Sequence, residues 1–249
     1  MLKKIVSAVF KTPIGQTVNK KKRSGKKWTY TQDIFTKHID KNRINTVFEV
    51  GAHNCRDAIA INKYYRPKII YVFECNPDCI EVSKNTLKRY WGRKNICLIE
   101  KAVWSENKKI KFYPVVESYR QETPQIKQKN LGASSCFRTL GTHHEKFIQD
   151  EIEVDAVRLD NFCKENNINK IDLICMDLEG AEYYALLGLG DMIHRVHYII
   201  TEIIIKPVYQ GQRFFDSTNQ YLENHNFKLI ERDMESDLLG NFLYVNQSF

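Results

Sequence analysis

The stretch TVFEVGAHNC, residues 46–55, joins a short apolar run to a polar turn that contains one glycine. The run predicts a buried strand over residues 45–50, because β-branched and aromatic residues dominate it. Gly51 allows a tight turn and a close approach of the backbone to a ligand. Glu49 places a carboxylate at the end of the strand. In an open α/β sheet the turn after the first strand commonly binds a nucleotide, so this stretch predicts a ligand site.

A second carboxylate, Glu74, ends the next predicted strand, residues 68–74. It lies 25 residues after Glu49, and nucleotide-binding sheets place an acid at about this spacing to bind ribose hydroxyls. The first turn has one glycine instead of G-x-G-x-x-G, which leaves little room for a pyrophosphate. S-adenosylmethionine has adenosine and ribose but no phosphate. It therefore fits the pair of acids better than a dinucleotide does.

Strand and helix patterns alternate along the rest of the chain. Apolar runs that predict strands occupy residues 45–50, 68–74, 96–100, 109–115, 152–159, 171–177, 197–205, 227–233 and 241–247. Helical patterns occupy residues 55–65, 76–90 and 160–166. This alternation predicts an α/β fold with a mostly parallel sheet, and the two strand patterns at the end of the chain indicate an antiparallel strand.

The length of 249 residues and a hydrophobic content of 43% fit one domain over residues 31–249, with a long excursion at about 116–150. Residues 1–30 form a basic N-terminal arm, which contains nine lysine or arginine residues and no acid. The net charge of the chain is +8, so the remainder is close to neutral. We expect the arm to be a solvated, flexible segment that contacts an anionic membrane surface or an acidic partner. A nucleic acid is a poorer match, because the body supplies no basic surface.

The chain contains no apolar run of the ~20 residues that a membrane-spanning helix needs. Its seven cysteines are scattered, with no C-x-x-C pair, so the pattern predicts neither a disulfide framework nor a zinc site. A reducing cytoplasm is the expected location.

Seven blocks of the chain together resemble the FkbM-type S-adenosylmethionine-dependent methyltransferases. They are VFEVGAHNC (47–55), VFECNPD (72–78), EKAVWSENKKIKFY (100–113), GASS (132–135), VRLDNF (157–162), IDLICMDLEGAEYYALLGL (171–189) and YIITEI (198–203). The resemblance implies a Rossmann-like class I methyltransferase fold, a seven-stranded, mostly parallel sheet with one antiparallel strand and helices on both faces. It also implies O-methylation of hydroxyl groups on sugars, glycans or other hydroxylated small molecules.

The resemblance also assigns cofactor contacts. The residues that it implies for the methionine turn, the ribose and the adenine are Glu49, Gly51, Ala52, His53, Glu74, Cys75, Asn76, Lys101, Ala102 and Asp177. Two residues depart from the family pattern. Cys55 replaces the second glycine of the first turn, and Cys175 stands where lysine is frequent.

Methyl transfer to a hydroxyl group requires a base that removes the proton of the hydroxyl. Asp177 follows the strand predicted at 171–177 and is our first candidate for this base or for anchoring the substrate. Glu179 is the second candidate. We expect Glu182 to cap the following helix. A divalent metal held by Asp177, Glu179 and Glu202 is compatible with these oxygen ligands, but nothing in their spacing requires one.

His144 is a further candidate base, because the excursion that carries it is expected to form a lid over the substrate. Its neighbour His143 has the same chemistry. Two alternative functions remain open. One is methylation of an RNA ribose hydroxyl, which would use Asp177 with Lys206 and Glu231 and would bind phosphates through the arm. The other is a catalytically silent domain tethered by the arm.

Overall fold

The computed structural model describes residues 29–142 and 144–249. The strands are β1 (Thr46–Val50), β2 (Ile69–Phe73), β3 (Ile96–Ile99), β4 (Ala102–Val103), β5 (Lys108–Phe112), β6 (Val115–Arg120), β7 (Lys127–Gln128), β8 (Glu145–Gln149), β9 (Ile152–Val157), β10 (Ile171–Met176), β11 (Val196–Ile204), β12 (Phe227–Met234) and β13 (Leu239–Asn246). The helices are α1 (Asp33–Thr36), α2 (Arg56–Tyr65), α3 (Pro77–Lys88), α4 (Leu159–Glu165), α5 (Glu182–Leu187) and α6 (Phe215–Asn224). Within these residues no helix combines the length and the apolar character needed to cross a membrane.

Seven of the strands form the central sheet, in the order β12-β13-β11-β10-β1-β2-β3. The pairings of β1 with β2 and β10, of β10 with β11 and of β2 with β3 are parallel. β13 runs antiparallel to both of its neighbours, β11 and β12. The predicted seven-stranded sheet with one antiparallel strand is therefore confirmed. The antiparallel strand, β13, is the second strand from the edge, because β12 forms the edge itself.

Helices cover both faces of the central sheet and bury two apolar cores. The core on one face packs α4, α5 and α6 against residues such as Phe48 and Val50 of β1. The core on the other face packs α1, α2 and α3 against residues such as Val47. Successive side chains of a strand point to opposite faces, so β1 supplies both cores. Its carboxyl end, where the ligand site is predicted, lies between the two layers of helices.

Local sequence signals explain where the helices next to this edge begin. The Asn76 side chain accepts a hydrogen bond from the backbone N–H of Asp78 at 3.2 Å, and Pro77 occupies the first turn of α3. Proline is favoured there because its missing N–H would have no partner inside the helix. A side-chain oxygen at the preceding position satisfies one of the other free N–H groups.

The predicted excursion at 116–150 contains a small antiparallel sheet, β7-β6-β8. A second small sheet, β4-β9-β5, is formed by strands that precede and follow the excursion along the chain. The basic arm predicted at 1–30 lies outside the described residues, except for Thr29 and Tyr30. These two belong to a short 3-10 helix, Thr29–Thr31, in which Tyr30 is buried and its carbonyl accepts a hydrogen bond from the Tyr65 hydroxyl at 3.2 Å. Tyr30 therefore packs against the domain predicted over residues 31–249.

Each of the seven cysteines lies within the described residues, and none forms a disulfide. Burial raises the pKa of Cys55 and Cys136 to about 12, which keeps these thiols protonated at neutral pH.

Candidate active site

The turn after β1 is fixed by backbone contacts with the two neighbouring strands. The N–H groups of Gly51 and Ala52 both donate to the carbonyl of Phe73, at 3.0 and 3.2 Å, and the N–H of Asp177 donates to the carbonyl of Val50 at 3.0 Å. Gly51 has φ +88°, a conformation that glycine adopts without steric cost. Three strand ends are thereby held together at one point of the sheet edge.

Cys55, where the chain departs from the family pattern, has a left-handed backbone. Its φ is +58°, and His53 in the same turn has φ +49°. Side chains disfavour this conformation. The Cys55 side chain is fully buried against α2 and the sheet, which offsets the strain.

Glu74 lies directly beside this turn, although 21 residues separate it from His53. Its Oε2 accepts the N–H of His53 at 2.6 Å, while its Oε1 accepts the N–H groups of Cys75 at 2.9 Å and Asn76 at 2.8 Å. Burial raises the pKa of Glu74 to about 7, although the three N–H groups oppose this rise. The carboxylate is consequently fixed in one orientation at the end of β2.

Glu49 occupies a different place from Glu74. In the strand pairings it lies opposite Cys175 and Val72, which belong to the core on the α1–α3 face. It is 2% exposed, and within the part of the chain that the structure describes its Oε2 has no hydrogen-bond partner. Burial, with a further contribution from the Asp57 carboxylate, raises its pKa well above the usual range. Glu49 therefore lies on the face of the sheet that α1, α2 and α3 cover, whereas Val50 lines the cavity.

A cavity of about 100 Å³ lies over the ends of β1, β2 and β10. The predicted site residues that line it are Gly51, His53, Glu74, Cys75, Asn76, Lys101, Ala102, Asp177 and Glu179. The structure therefore brings nine of the predicted residues together around one space. Glu49 and Ala52 lie immediately behind the lining, and His144 is remote from it.

Part of the excursion lies across this cavity. Leu131, Gly132, Ser134 and Cys136 line it from above. The Ser134 hydroxyl accepts a hydrogen bond from the Asn76 side chain at 3.2 Å. Ligand pockets commonly measure about 300–1,000 Å³, so this cavity is small. It is narrow because residues 131–136 lie across it. We refer to residues 131–136 as the cover.

Asp177 follows β10 at the centre of the sheet edge. Its Oδ1 is buried and has no hydrogen-bond partner among the described residues. Burial and the nearby carboxylate of Glu182 raise its pKa to about 7. An acid with this pKa exchanges its proton readily near neutral pH, as a general base must.

Glu179 and Glu202 complete a group of three acids around Asp177. One carboxylate oxygen from each of the three lies within 4.8 Å of the others. Burial and the Asp177 charge raise the pKa of Glu179 well above its usual range and that of Glu202 to about 11. Like charges so close cannot all ionise, and either protons or a cation must neutralise them. The pKa of each of the three acids is raised by burial and by the neighbouring carboxylates, so the group shares protons near neutral pH.

Tyr209 joins Glu179 to the cover. Its hydroxyl lies 3.0 Å from Oε2 of Glu179 and 3.0 Å from the carbonyl oxygen of Ala133. The single hydroxyl proton can be donated to only one of these oxygens at a time. The Ser135 hydroxyl adds a second contact between the cover and Glu179, since it donates to the Glu179 carbonyl at 2.8 Å. Glu179 also has φ +51°, an unusual conformation that these contacts stabilise.

The sequence predicted that Glu182 caps the following helix, and in the structure its carboxylate instead binds the turn before that helix. Its Oε1 accepts the N–H groups of Leu178 at 2.8 Å and Gly180 at 3.2 Å. It is the first residue of α5, so its carboxylate closes the turn that precedes the helix. This turn carries Glu179.

His144 belongs to a separate hollow that Lys206 and Glu235 also line. The structure does not bring it together with Asp177 and Glu179 in the cavity, and its proposed role as a base stays a prediction. His143 lies outside the described residues.

Sequence reasoning missed the effect that three residues have on the acids. Tyr209 carries no local motif and reaches Glu179 only because the chain folds back after β11. Asp57, in the first turn of α2, raises the pKa of Glu49. Its position shortly after the Gly51 turn is a sequence signal that could have identified it. Glu235, in the turn between β12 and β13, raises the pKa of Asp177 and Glu202 together with other nearby acids. No sequence signal marks it.

The chain was compared with known protein families, curated proteins and solved structures. A model of the methyltransferase FkbM domain matches residues 49–229. The 2-O-methyltransferase NoeI of Sinorhizobium fredii (strain NBRC 101917 / NGR234) is 25% identical over 171 residues, which cover 67% of this chain and 66% of NoeI. The crystal structure of methyltransferase FkbM from Methylobacillus flagellatus KT superposes with a TM-score of 0.54 at 12% identity, over 81% of this chain and 43% of that one. The chain thus spans just under two thirds of NoeI and less than half of the second protein.

Proposed function

This chain belongs to the methyltransferase FkbM domain family, and on that premise we propose that it transfers the methyl group of S-adenosylmethionine to a hydroxyl group of a sugar, a glycan or another hydroxylated small molecule. One observation carries the proposal. The carboxylates of Glu74, which is buried, and Asp177, which is half-buried, end two different strands and line the same cavity below the Gly51 turn. The first suits a ribose and the second suits a reacting hydroxyl.

In this proposal Glu74 holds the ribose of the cofactor. A carboxylate has about four lone-pair sites, and backbone N–H groups occupy three of them. The remaining capacity can accept a ribose hydroxyl. The methionine end of the cofactor lies at the Gly51 turn, where the backbone can approach closely, and the adenine lies towards Lys101 and Ala102.

Asp177 is the proposed general base. As the acceptor oxygen forms a bond to the methyl carbon, the bond from that carbon to the sulfonium sulfur breaks and S-adenosylhomocysteine leaves. The acceptor hydroxyl gives its proton to the unpartnered oxygen of Asp177. An aliphatic hydroxyl is a poor nucleophile until it begins to lose this proton, so a positioned base accelerates the step by ~10²–10⁴-fold.

The neighbouring acids fit this assignment. Burial and mutual repulsion raise the pKa of Asp177, Glu179 and Glu202, so the group holds protons and carries less than its full negative charge near neutral pH. The positive sulfonium of the cofactor would be favoured beside such a group. In this proposal Asp177 acts without a metal, since protons already limit the charge of the group.

The contacts of two residues weigh against the RNA alternative. Lys206, which that mechanism would use, forms an ion pair with Asp237. Glu231 forms an ion pair with Lys37 at 3.0 Å and contacts His38 at 3.4 Å. Both residues are therefore engaged away from Asp177. Binding of an anionic surface or an acidic partner by the basic arm stays a prediction.

Calorimetry with S-adenosylmethionine and S-adenosylhomocysteine tests the proposal. The wild-type protein should bind both, with NAD as a ligand that should not bind. Glu74→Ala should lose at least tenfold in affinity, because the ribose loses its partner. Glu100→Ala is a matched control, since Glu100 follows the next strand but is exposed and paired with Lys84 at 2.5 Å. Absence of binding by the wild type would refute the methyltransferase assignment, and binding unaffected by Glu74→Ala would refute the ribose site.

A further inference from the structure

The loop that joins α3 to β3, residues 89–95, carries an exposed tryptophan. Trp91 is 96% exposed, although the removal of its large apolar surface from water is favourable. Small apolar side chains are common on protein surfaces, whereas tryptophan is mostly buried. Tryptophan is enriched where a side chain is apolar at one end and wet at the other, as at interfaces with a partner or a membrane. This exposure is therefore typical of an interaction surface.

Hydrogen bonds to α2 hold this loop in one conformation. The Asn62 side chain, on α2, donates to the Tyr90 hydroxyl at 3.1 Å and to the Gly92 carbonyl at 2.9 Å. The Asn95 side chain donates to Oδ1 of Asn62 at 2.8 Å. A β-carbon on Gly92 would lie 2.5 Å from the Tyr90 hydroxyl, so Tyr90 packs directly over Gly92. The residues on both sides of Trp91 are thus fixed, and the folded structure itself presents the indole to solvent.

The segments that meet here are basic. Residues 58–73 and 85–99 contain no aspartate or glutamate. Their seven exposed lysine and arginine residues are Lys63, Arg66, Lys68, Lys88, Arg89, Arg93 and Lys94. The contacts of Asn62 bring the two segments together. The nearly neutral body of the chain therefore does carry a basic surface, which its overall composition did not predict. We refer to residues 63–68 and 88–95 as the basic patch.

We propose that the basic patch binds a membrane surface that contains anionic lipids, with Trp91 inserted among the lipid headgroups. Tryptophan is favoured at the boundary between membrane and water, because its rings are apolar and its N–H group still finds a polar partner there. Lysine and arginine residues beside it are attracted to the negative surface potential of anionic lipids. Membrane binding of this kind is independent of the methyl transfer proposed above.

The exposure of Trp91 favours a membrane over a single-stranded nucleic acid. Proteins that bind single strands stack successive bases on aromatic side chains along a positively charged groove. An indole that is 96% exposed projects from the surface and lines no groove. A layer that surrounds the ring on all sides, such as the headgroup region of a bilayer, matches this geometry.

Binding through the basic patch leaves the cavity open. The loop at 89–95 precedes β3 and residues 66–68 precede β2, so both lie at the amino ends of these parallel strands. The cavity lies over the carboxyl ends of β1, β2 and β10. A molecule bound to a membrane would therefore keep its cofactor site on the side that faces away from the lipid.

Sedimentation of the full chain with lipid vesicles tests the role of Trp91. The wild type should bind vesicles of phosphatidylcholine with about 30% phosphatidylserine at least roughly tenfold more tightly than phosphatidylcholine alone, and salt should weaken this binding. Trp91→Ala should weaken it by about tenfold, because the inserted apolar surface is lost. Ile126→Ala is the matched control. It removes an apolar side chain that is 62% exposed in another turn, and it should bind like the wild type.

A second pair of variants tests the charge. Lys88→Ala combined with Lys94→Ala removes two cations from the basic patch and should weaken binding by roughly tenfold or more. Lys108→Ala combined with Lys109→Ala removes the same charge from exposed positions of β5 and should have a much smaller effect. Every variant retains residues 1–28, so any binding through the basic arm is the same in each. All should unfold at the wild-type temperature, because the substituted side chains are exposed.

Three results would overturn the proposal. The wild type would fail to bind the vesicles that contain phosphatidylserine, or Trp91→Ala would bind them as tightly as the wild type. In the third, Trp91→Ala would lose affinity for a single-stranded RNA of twenty nucleotides while its binding to vesicles stayed intact. That result would assign the basic patch to a nucleic acid.

Discussion

A β-carbon on Gly51 would lie 1.8 Å from the backbone carbonyl oxygen of Asp177. This distance is far below any tolerated contact, and the turn after β1 can therefore hold no residue other than glycine without moving. The same contact fixes the backbone of Asp177 relative to the cofactor turn. The two residues are 126 positions apart in the chain, and their proximity follows from the parallel pairing of β1 with β10.

Gly51→Ala should displace the turn from the end of β10 and abolish cofactor binding. We expect a loss of about 3 kcal/mol or more in the free energy of unfolding, because backbone strain and a backbone clash act together. Urea unfolding and calorimetry with S-adenosylhomocysteine measure the two effects.

Gly141→Ala is the matched control for this variant. Gly141 has a similar φ of +68°, but no atom of residues 29–142 or 144–249 lies within 4 Å of the position of its β-carbon. It should lose only the ~1–2 kcal/mol of left-handed backbone strain. Equal losses in the two variants would contradict the role assigned to the contact with Asp177.

Asp177→Asn should lower kcat by ~10²–10⁴-fold, because the amide cannot accept the proton of the acceptor. Cofactor affinity should stay within about threefold of the wild type, since asparagine has nearly the same shape. Asp155→Asn, at an exposed position of β9, should change neither quantity. Full turnover by Asp177→Asn would show that another group is the base, or that the reaction needs none.

The pH dependence of kcat/KM should reflect the same residue. A general base is active when ionised, so activity should rise with pH and level off above about 7, the pKa to which burial raises Asp177. The profile should be measured with saturating cofactor and a varied acceptor. A rise centred near pH 4 would mean that Asp177 has an ordinary pKa in the working enzyme.

Tyr209→Phe should loosen the cover, because the hydroxyl that reaches Glu179 and Ala133 is removed. We expect faster hydrogen exchange at residues 131–136 and a loss of about 1 kcal/mol in stability. Tyr244→Phe is the control, since its buried hydroxyl bonds Asn219 at 3.1 Å. It should cost similar stability without changing exchange in the cover. Unchanged exchange in Tyr209→Phe would separate Tyr209 from the cover.

Glu202→Gln should stabilise the protein at pH 8 by ~1–3 kcal/mol and have little effect at pH 4. The pKa of Glu202 is raised to about 11 in the folded protein, first by burial and then by Asp177 and Glu179. The folded state therefore favours the protonated carboxyl, and its stabilisation is complete below the unfolded pKa of ~4.3 and is lost as pH rises towards 11. Glutamine resembles the protonated form at every pH.

Thermal unfolding across pH 4 to 9 measures this effect. Glu100→Gln, an exposed acid that pairs with Lys84, is the control and should follow the wild-type curve. A Glu202→Gln variant less stable than the wild type at pH 8 would show that the carboxylate is compensated in the folded protein.

Much of the fold was predictable because its signals are local. The strand and helix patterns, Gly51, and the acids at the ends of β1, β2 and β10 can all be read from neighbouring residues. Those signals predicted an α/β sheet and the acids at the strand ends, while the family resemblance implied most of the other residues around the cavity. They could not show that Glu49 faces away from the cavity, because the side of the sheet that a strand residue faces depends on which core each face buries.

The sequence by itself determined which chemistry the chain carries: carboxylates at strand ends and one glycine where two backbones meet. Tertiary structure alone decided which groups act together. It brought Glu202 to Asp177 and Glu179, placed Glu235 near the acids, and laid Tyr209 against the cover. These contacts join residues far apart in the chain. The contacts depend on the order of the strands and the packing of the helices. Strand order and packing result from the burial of whole faces of the sheet, so the sequence near any one of these residues carries no signal of its contact.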